Sequence, residues 1–96
     1  MSNLTIVANI IAENDHVELV RLELTKLIEP TRKEEGCIQY DLHQDNQNPA
    51  HFVFFEKWTS KQHLEAHLKS NHIAQYAQAV EGAIAQFTLN EMTHIA

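Results

Sequence analysis

The chain has 96 residues, one cysteine and a formal net charge of -6, from 7 Lys and Arg against 13 Asp and Glu. This acidic balance argues against a nucleic-acid binder, which needs a basic face, and no apolar run approaches the ~20 residues that cross a bilayer. A lone cysteine forms no internal disulfide, and residues 1–6 lack the charged and apolar regions of a signal peptide. We therefore expect one domain, 1–96, in the cytoplasm, with self-association favoured by its small size.

The first half of the chain predicts a strand and a helix. Leu4 to Ala12 is apolar and free of breakers, which is typical of a central strand, and Asn9 is its strongly polar residue. Asn14 or Asp15 is placed to cap the following helix. That helix carries an apolar stripe and is expected to bend or end at Pro30, although Thr31 to Glu35 could add another turn before Gly36 supplies the exit.

An antiparallel hairpin is predicted next, with a turn at 45–49. In its first strand, 37–45, the alternation places Ile38, Tyr40 and Leu42 on one face. In its second strand, 51–58, one face carries Phe52, Phe54, Glu56 and Trp58. The opposite face includes Val53, Phe55 and Lys57.

Two helices and a strand close the chain. Thr59 or Ser60 is placed to cap a helix that runs to about Lys69. A further helix is predicted from an apolar stripe between Ile73 and Ile84, with Gly82 inside it, and the last strand is predicted over 87–95.

The order β-α-β-β-α-(α)-β predicts an α+β, ferredoxin-like βαββαβ fold, with a four-stranded antiparallel sheet carrying its helices on one face. Val53 and Phe55 would then occupy the other face, which is too apolar for a solvated surface. Two sheets packed face to face would cover it, so we predict a homodimer.

Several polar side chains are candidates for chemistry. Glu56 shares its strand face with three aromatic residues, so burial would raise its pKa and suit it to proton transfer; a salt bridge at the sheet edge is the alternative. His63 and His67 are four apart on one helix and could chelate a metal, but no third ligand has a clear spacing, so we predict no metal site. His67 suits an acid/base role in a pocket better. Asn9 could serve a pocket or the structure, and Cys37 is expected to fill space.

The segment 34–42, Glu-Glu-Gly-Cys-Ile-Gln-Tyr-Asp-Leu, the sequence Phe-Glu-Lys-Trp at 55–58, and then His67 and His72 resemble the antibiotic biosynthesis monooxygenase (ABM) family. The resemblance covers nearly the whole chain. It implies a dimeric α+β barrel, a cavity between sheet and helices, and, as in quinol monooxygenase-type members, oxygenation by O2 without metal, flavin or haem. Trp58 matches the family's pocket tryptophan, whereas Phe54 stands where a polyketide-oxidising relative has asparagine.

Two other branches of this superfamily offer comparisons. Haem-degrading relatives share Asn9, but His67 and Ala77 stand where their helical tryptophan and haem ligand would be, so haem degradation is rejected. A branch that processes a phosphorylated autoinducer also has histidines here, which leaves isomerase-like chemistry on a small polar metabolite open.

The leading hypothesis is a cofactor-independent monooxygenase acting on a small phenolic or quinol-type aromatic substrate with O2. We assign catalytic roles to four residues, His67, Trp58, Glu56 and Asn9. We assign substrate contacts to five others: Phe52, Phe54, Leu64, His72 and Tyr76. The alternative from a different class is a non-catalytic dimeric module for small-molecule binding or stress response.

Overall fold

A computed structural model describes residues 3–96 and confirms the predicted ferredoxin-like α+β fold. The sheet has four strands in the order β2-β3-β1-β4, and every neighbouring pair is antiparallel. The elements, in chain order, are β1 (Leu4–Ala12), a 3-10 turn (Asn14–His16), α1 (Val17–Lys26), α2 (Ile28–Arg32), β2 (Cys37–Gln44), β3 (His51–Trp58), α3 (Lys61–Leu68), α4 (Asn71–Ala79) and β4 (Ile84–Met92).

In residues 3–96, the sheet has an inner face under the helices and an outer face without a helix. β1 lies at the centre, as predicted, and pairs with β3 and β4. Its residues alternate, so that Ile6, Ala8 and Ile10 are buried in the core while Val7 and Asn9 are only half-buried. Alternate residues of this apolar run therefore lie in the buried core and on the half-buried outer face.

The predicted first helix is divided. In the described part of the chain, neither Asn14 nor Asp15 caps α1, which begins instead after the 3-10 turn without a side-chain cap. The helix is interrupted at Leu27, whose N–H donates to the carbonyl of Leu24. Pro30 lies inside the short α2 and does not end it. Pro30 is the third residue of α2, where a backbone N–H has no helical partner to lose.

A β-bulge in β2 makes the predicted position of Ile38 wrong. Cys37 is opposite Trp58 and Gln39 is opposite Lys57, so Ile38 is an extra residue in the ladder. Ile38 is consequently 47% exposed instead of sharing the buried face with Tyr40. Tyr40 itself faces the core opposite Glu56, as the alternation predicts.

The last helix is shorter than predicted and the last strand begins earlier. α4 ends at Ala79, and Gly82 adopts φ +80° in the turn that follows, a conformation that favours glycine. Ile84 therefore starts β4 instead of completing a helical stripe, and β4 ends at Met92. Phe87 lies opposite Ile10, which turns it toward the inner face.

None of the helices in residues 3–96 combines the length and apolar character that crossing a bilayer requires. Met1 and Ser2, part of the segment in which we expect no signal peptide, lie outside the described residues.

Candidate active site

A cavity of about 100 Å³ lies between the inner face of the sheet and the helices. Aliphatic side chains from β1, α1 and α4 form much of its wall. The lining residues that carry polar atoms on their side chains are four: Tyr40, Glu56, His67 and Tyr76. Such a site, apolar with a few converging polar groups, is typical of a small-molecule pocket.

Glu56 is a buried carboxyl at the wall of this cavity. Because side chains two apart on a strand share a face, Trp58 lies beside it, and the indole N–H donates to Glu56 Oε1 at 2.9 Å. Trp58 has 0% exposure and Glu56 has 3%. Burial raises the pKa of Glu56 to about 7, with a smaller contribution from the charge of Glu34, while the bond from Trp58 opposes the shift. Glu56 can therefore hold or release a proton near neutral pH.

Aromatic side chains line the same cavity. Tyr40 stacks on Phe54 with 4.4 Å between ring centroids and meets His67 edge-on at 5.4 Å. Burial, followed by the negative charge of Glu56, raises the pKa of Tyr40 far above its usual value. Burial likewise raises the pKa of Tyr76 to about 12. Both phenols therefore stay neutral and offer hydroxyl groups rather than charges.

His67, on α3, is held by a carboxylate. Its Nδ1 lies 2.7 Å from Glu34 Oε2, and His72 Nε2 lies 2.7 Å from the same oxygen. The Trp58 ring packs against His67 with 4.8 Å between centroids. Burial lowers the pKa of His67, and the neighbouring Glu34 only partly offsets this effect. The imidazole is therefore neutral at pH 7. Its ring lines the cavity, and its Nε2 makes no hydrogen bond within residues 3–96.

The structure separates the two histidines that sequence spacing pairs. His63 Nδ1 lies 2.8 Å from the hydroxyl of Thr59, and Ser60 caps α3 through the His63 N–H. The ligand-type atoms of Glu34, His67 and His72 instead lie within 4.8 Å of one another, a spacing that a metal ion could bridge. Both nitrogens already contact the carboxylate, so this cluster is satisfied by hydrogen bonds, and the absence of a metal stays a prediction.

The structure brings some of the predicted site residues together and not others. Glu56, His67, Phe54 and Tyr76 line the cavity. Three more lie in the core without lining it, namely Trp58, Phe52 and Leu64, and His72 lies at the edge with Glu34.

Asn9 is placed away from the cavity, in contrast to its predicted position. It is half-buried on the outer face, where its Oδ1 lies 3.0 Å from His51 Nε2. The reason is the register of β1: Asn9 is opposite Val53, which also faces outward.

Glu34 and Tyr40 are the site residues that sequence reasoning missed. Tyr40 was identifiable in principle, since its strand alternation puts it on the face that pairs with Glu56. Glu34 gives no local signal because its partner His67 is 33 positions away in the chain. Only the fold brings the turn before β2 against α3.

The fold and the cavity together define a small ferredoxin-like α+β protein with an apolar cavity between its sheet and its helices. The family model described as antibiotic biosynthesis monooxygenase matches residues 3–79. The chain belongs to this family.

Individual relatives agree with this assignment. The "Probable quinol monooxygenase YgiN" of Escherichia coli K12 is 31% identical over 96 aligned positions, which cover 90% of this chain and 92% of that protein. The crystal structure of PA3566 from Pseudomonas aeruginosa has a TM-score of 0.95 at 32% identity and covers 100% of this chain and 97% of its own. The structure of Rv0793 from Mycobacterium tuberculosis has a TM-score of 0.89 at 26% identity, covering 99% of this chain and 97% of its own.

Proposed function

We propose that this protein is a cofactor-independent monooxygenase that oxygenates a small phenolic or quinol-type aromatic substrate with O2. The observation that carries this proposal is the chemistry of the cavity. It is an apolar, aromatic-lined space that holds a neutral histidine, His67, and a carboxyl, Glu56, with a pKa of about 7. Membership of a monooxygenase family and likeness to a protein named as a quinol monooxygenase support it.

Each step of the reaction can be assigned to a group or to the substrate. His67 Nε2 accepts the proton of the phenolic hydroxyl, which leaves an electron-rich anion. That anion transfers one electron to O2, and the resulting radical pair combines to form a carbon–oxygen bond in a hydroperoxide. The hydroperoxide is completed when the imidazolium returns its proton to the outer peroxide oxygen. As the O–O bond then breaks, the same carbon gives its hydrogen as a proton to the neutral His67, so one oxygen atom becomes a carbonyl while the other leaves as hydroxide, which takes that proton and becomes water. The apolar wall excludes bulk water from the radical pair.

Trp58 and Glu56 act as a unit in this scheme. The indole N–H holds the carboxyl in place, and the carboxyl, neutral for much of the time near pH 7, can donate a hydrogen bond to a substrate oxygen. Trp58 therefore supports the site from the core instead of packing on the substrate ring.

The test is oxygen consumption with a panel of catechols, quinols and anthrones. We expect His67→Ala to lower turnover 10²- to 10⁴-fold, the usual contribution of a general base, while ligand affinity is largely kept. Trp58→Phe, which removes the donor to Glu56, should reduce turnover less. His63→Ala is the matched control, because this histidine lies on the same helix but contacts Thr59 rather than the cavity.

A wild-type protein that binds aromatic ligands but consumes no O2 with the whole panel would refute the enzymatic proposal. It would then favour the non-catalytic binding or stress-response module. In that case His67→Ala and Trp58→Phe should alter affinity alone. The apolar lining disfavours the small polar metabolite that an isomerase-like activity would require.

We also propose a cytoplasmic homodimer in which the outer faces of two sheets pack together. The support is that Val7, Val53 and Phe55 form an apolar surface with no helix over it in the described chain. Sedimentation at micromolar concentration should give twice the mass of one chain. A monomer would refute the face-to-face packing.

A further inference from the structure

One carboxylate oxygen serves two histidines at the edge of the cavity. Glu34 Oε2 lies 2.7 Å from His67 Nδ1 and 2.7 Å from His72 Nε2. The exposed fractions of the side chains rise along this cluster, from 3% for His67 to 17% for Glu34 and 22% for His72. A buried ring is thus tied to the surface through a single acceptor.

We propose that Glu34 is a positioning residue that fixes the tautomer of His67, and that His72 tunes the basicity of His67 by competing for the same oxygen. This inference rests on the proposed function for its catalytic meaning, but the hydrogen-bond arrangement itself can be tested without a substrate.

The tautomer follows from the acceptor. A carboxylate only accepts hydrogen bonds, so the neutral His67 ring must place its proton on Nδ1 to contact Glu34. The unprotonated nitrogen is then Nε2, the one that can take a proton from a substrate in the cavity. Without Glu34 both tautomers become available, and part of the population would present an N–H to the substrate instead of a lone pair.

The competition follows from the shared oxygen. When His72 donates to Glu34, it draws on the same negative charge that stabilises protonated His67. Removing His72 should leave the carboxylate to His67 alone and raise the pKa of His67. Removing the charge of Glu34 should lower it further. The two substitutions within one cluster are therefore expected to shift the pKa of His67 in opposite directions.

The other groups that face His67 do not produce this pattern. Tyr40 meets the ring from β2 and stays neutral, Trp58 from β3 does not titrate, and Glu56 lies at the same cavity but bonds to Trp58. On α3, His63 contacts Thr59 and a distant Glu35 at 3.9 Å. Within the described chain, Glu34 is the charged group that bonds directly to the His67 ring, and His72 is linked to that ring through the same Glu34 oxygen.

The experiment is ¹⁵N-detected NMR of the histidine rings in the full-length protein, titrated from pH 4 to 9. We expect wild-type His67 to be protonated at Nδ1 and unprotonated at Nε2 at pH 8. Glu34→Gln should mix the tautomers and lower the pKa of His67, whereas His72→Ala should raise it. His63→Ala, on the same helix, should change neither, and Glu34→Asp should restore the wild-type tautomer in part.

Wild-type His67 protonated at Nε2 would overturn the proposal, and this measurement needs no variant to fold. Shifts of the same sign in Glu34→Gln and His72→Ala would also overturn it. So would stoichiometric binding of added Zn²⁺ that Glu34→Gln abolishes, because the cluster would then be a metal site. Since none of these readouts uses turnover, a failure of the oxygenase assay leaves them intact. With an active substrate, Glu34→Gln should lower kcat at least 10-fold and shift its pH profile.

Discussion

Alternate residues of β3 lie on the inner and the outer face of the sheet, and the polar side chains on these two faces differ in burial and in hydrogen bonding. On the inner face, Glu56 is buried and bonded to Trp58 within the same strand, and its pKa is raised to about 7. On the outer face, Asn9 and His51 form a hydrogen bond between strands and remain half-buried. The comparison shows that the two-residue period of one strand places a buried carboxyl on one face of the sheet and half-buried polar groups on the other.

Substitutions of Phe54 and Phe55 test this difference between the faces with the largest expected effect on stability. Phe54 is 3% exposed and stacks on Tyr40, so Phe54→Ala should lower the free energy of unfolding by about 3–5 kcal/mol. Phe55→Ala on the outer face should cost less, and its cost should depend on protein concentration because it weakens the proposed dimer. Urea unfolding at two protein concentrations measures both effects. Equal, concentration-independent losses would contradict the division between the faces.

Glu56→Gln tests the inner face through pH. The carboxyl has a reference pKa of 4.5 and a folded pKa of about 7, so the folded state binds more protons between these values. Wild-type stability should therefore fall as pH rises from 4.5 to 7, by on the order of 2–3 kcal/mol from this group. Glutamine does not titrate and can still accept from Trp58.

The measurement is urea unfolding of Glu56→Gln and wild type at pH 5, 6, 7 and 8. As pH rises, the unfolding free energy of the variant should increase relative to that of wild type. Parallel stability curves would show that the Glu56 pKa is not raised. His67 acts with the opposite sign, because a lowered folded pKa makes stability fall as pH drops below 6.5, but this contribution is common to both proteins.

Asn9→Ala is expected to have the smallest effect. It removes the hydrogen bond to His51 and should cost about 1 kcal/mol of stability. Because the outer face is on the other side of the sheet, the NMR signals of the His67 ring should not move. Displacement of those signals would mean that the outer face communicates with the cavity, and the two faces would no longer be independent.

The sequence predicted those features that depend on local periodicity. Strict alternation placed Phe52, Phe54, Glu56 and Trp58 on one face of β3, and the structure confirms this. Ser60 was a predicted cap of α3, and its side chain accepts the His63 N–H. These outcomes follow from residue spacing and hydrogen-bonding groups within a few positions.

Features that depend on pairing between distant segments escaped prediction. The continuous apolar run of β1 carries no sign of which residues face the helices, so Asn9 was expected at the cavity and lies on the outer face. Gly82 was expected inside a helix, at a cost of ~1 kcal/mol relative to alanine, but its φ of +80° places it in the turn after the helix, where glycine is favoured. Glu34 acquires its partners His67 and His72 only when the turn before β2 meets α3 and α4.

The bulge in β2 has a consequence for chain length. Two residues, Ile38 and Gln39, lie opposite the single position Lys57, and the alternation resumes at Tyr40. Deleting either bulge residue would therefore leave Cys37 and Tyr40 facing the core. A deletion elsewhere in the strand would turn every following side chain over. Insertions and deletions among relatives should accordingly be tolerated at this point of β2, next to the residues that build the cavity.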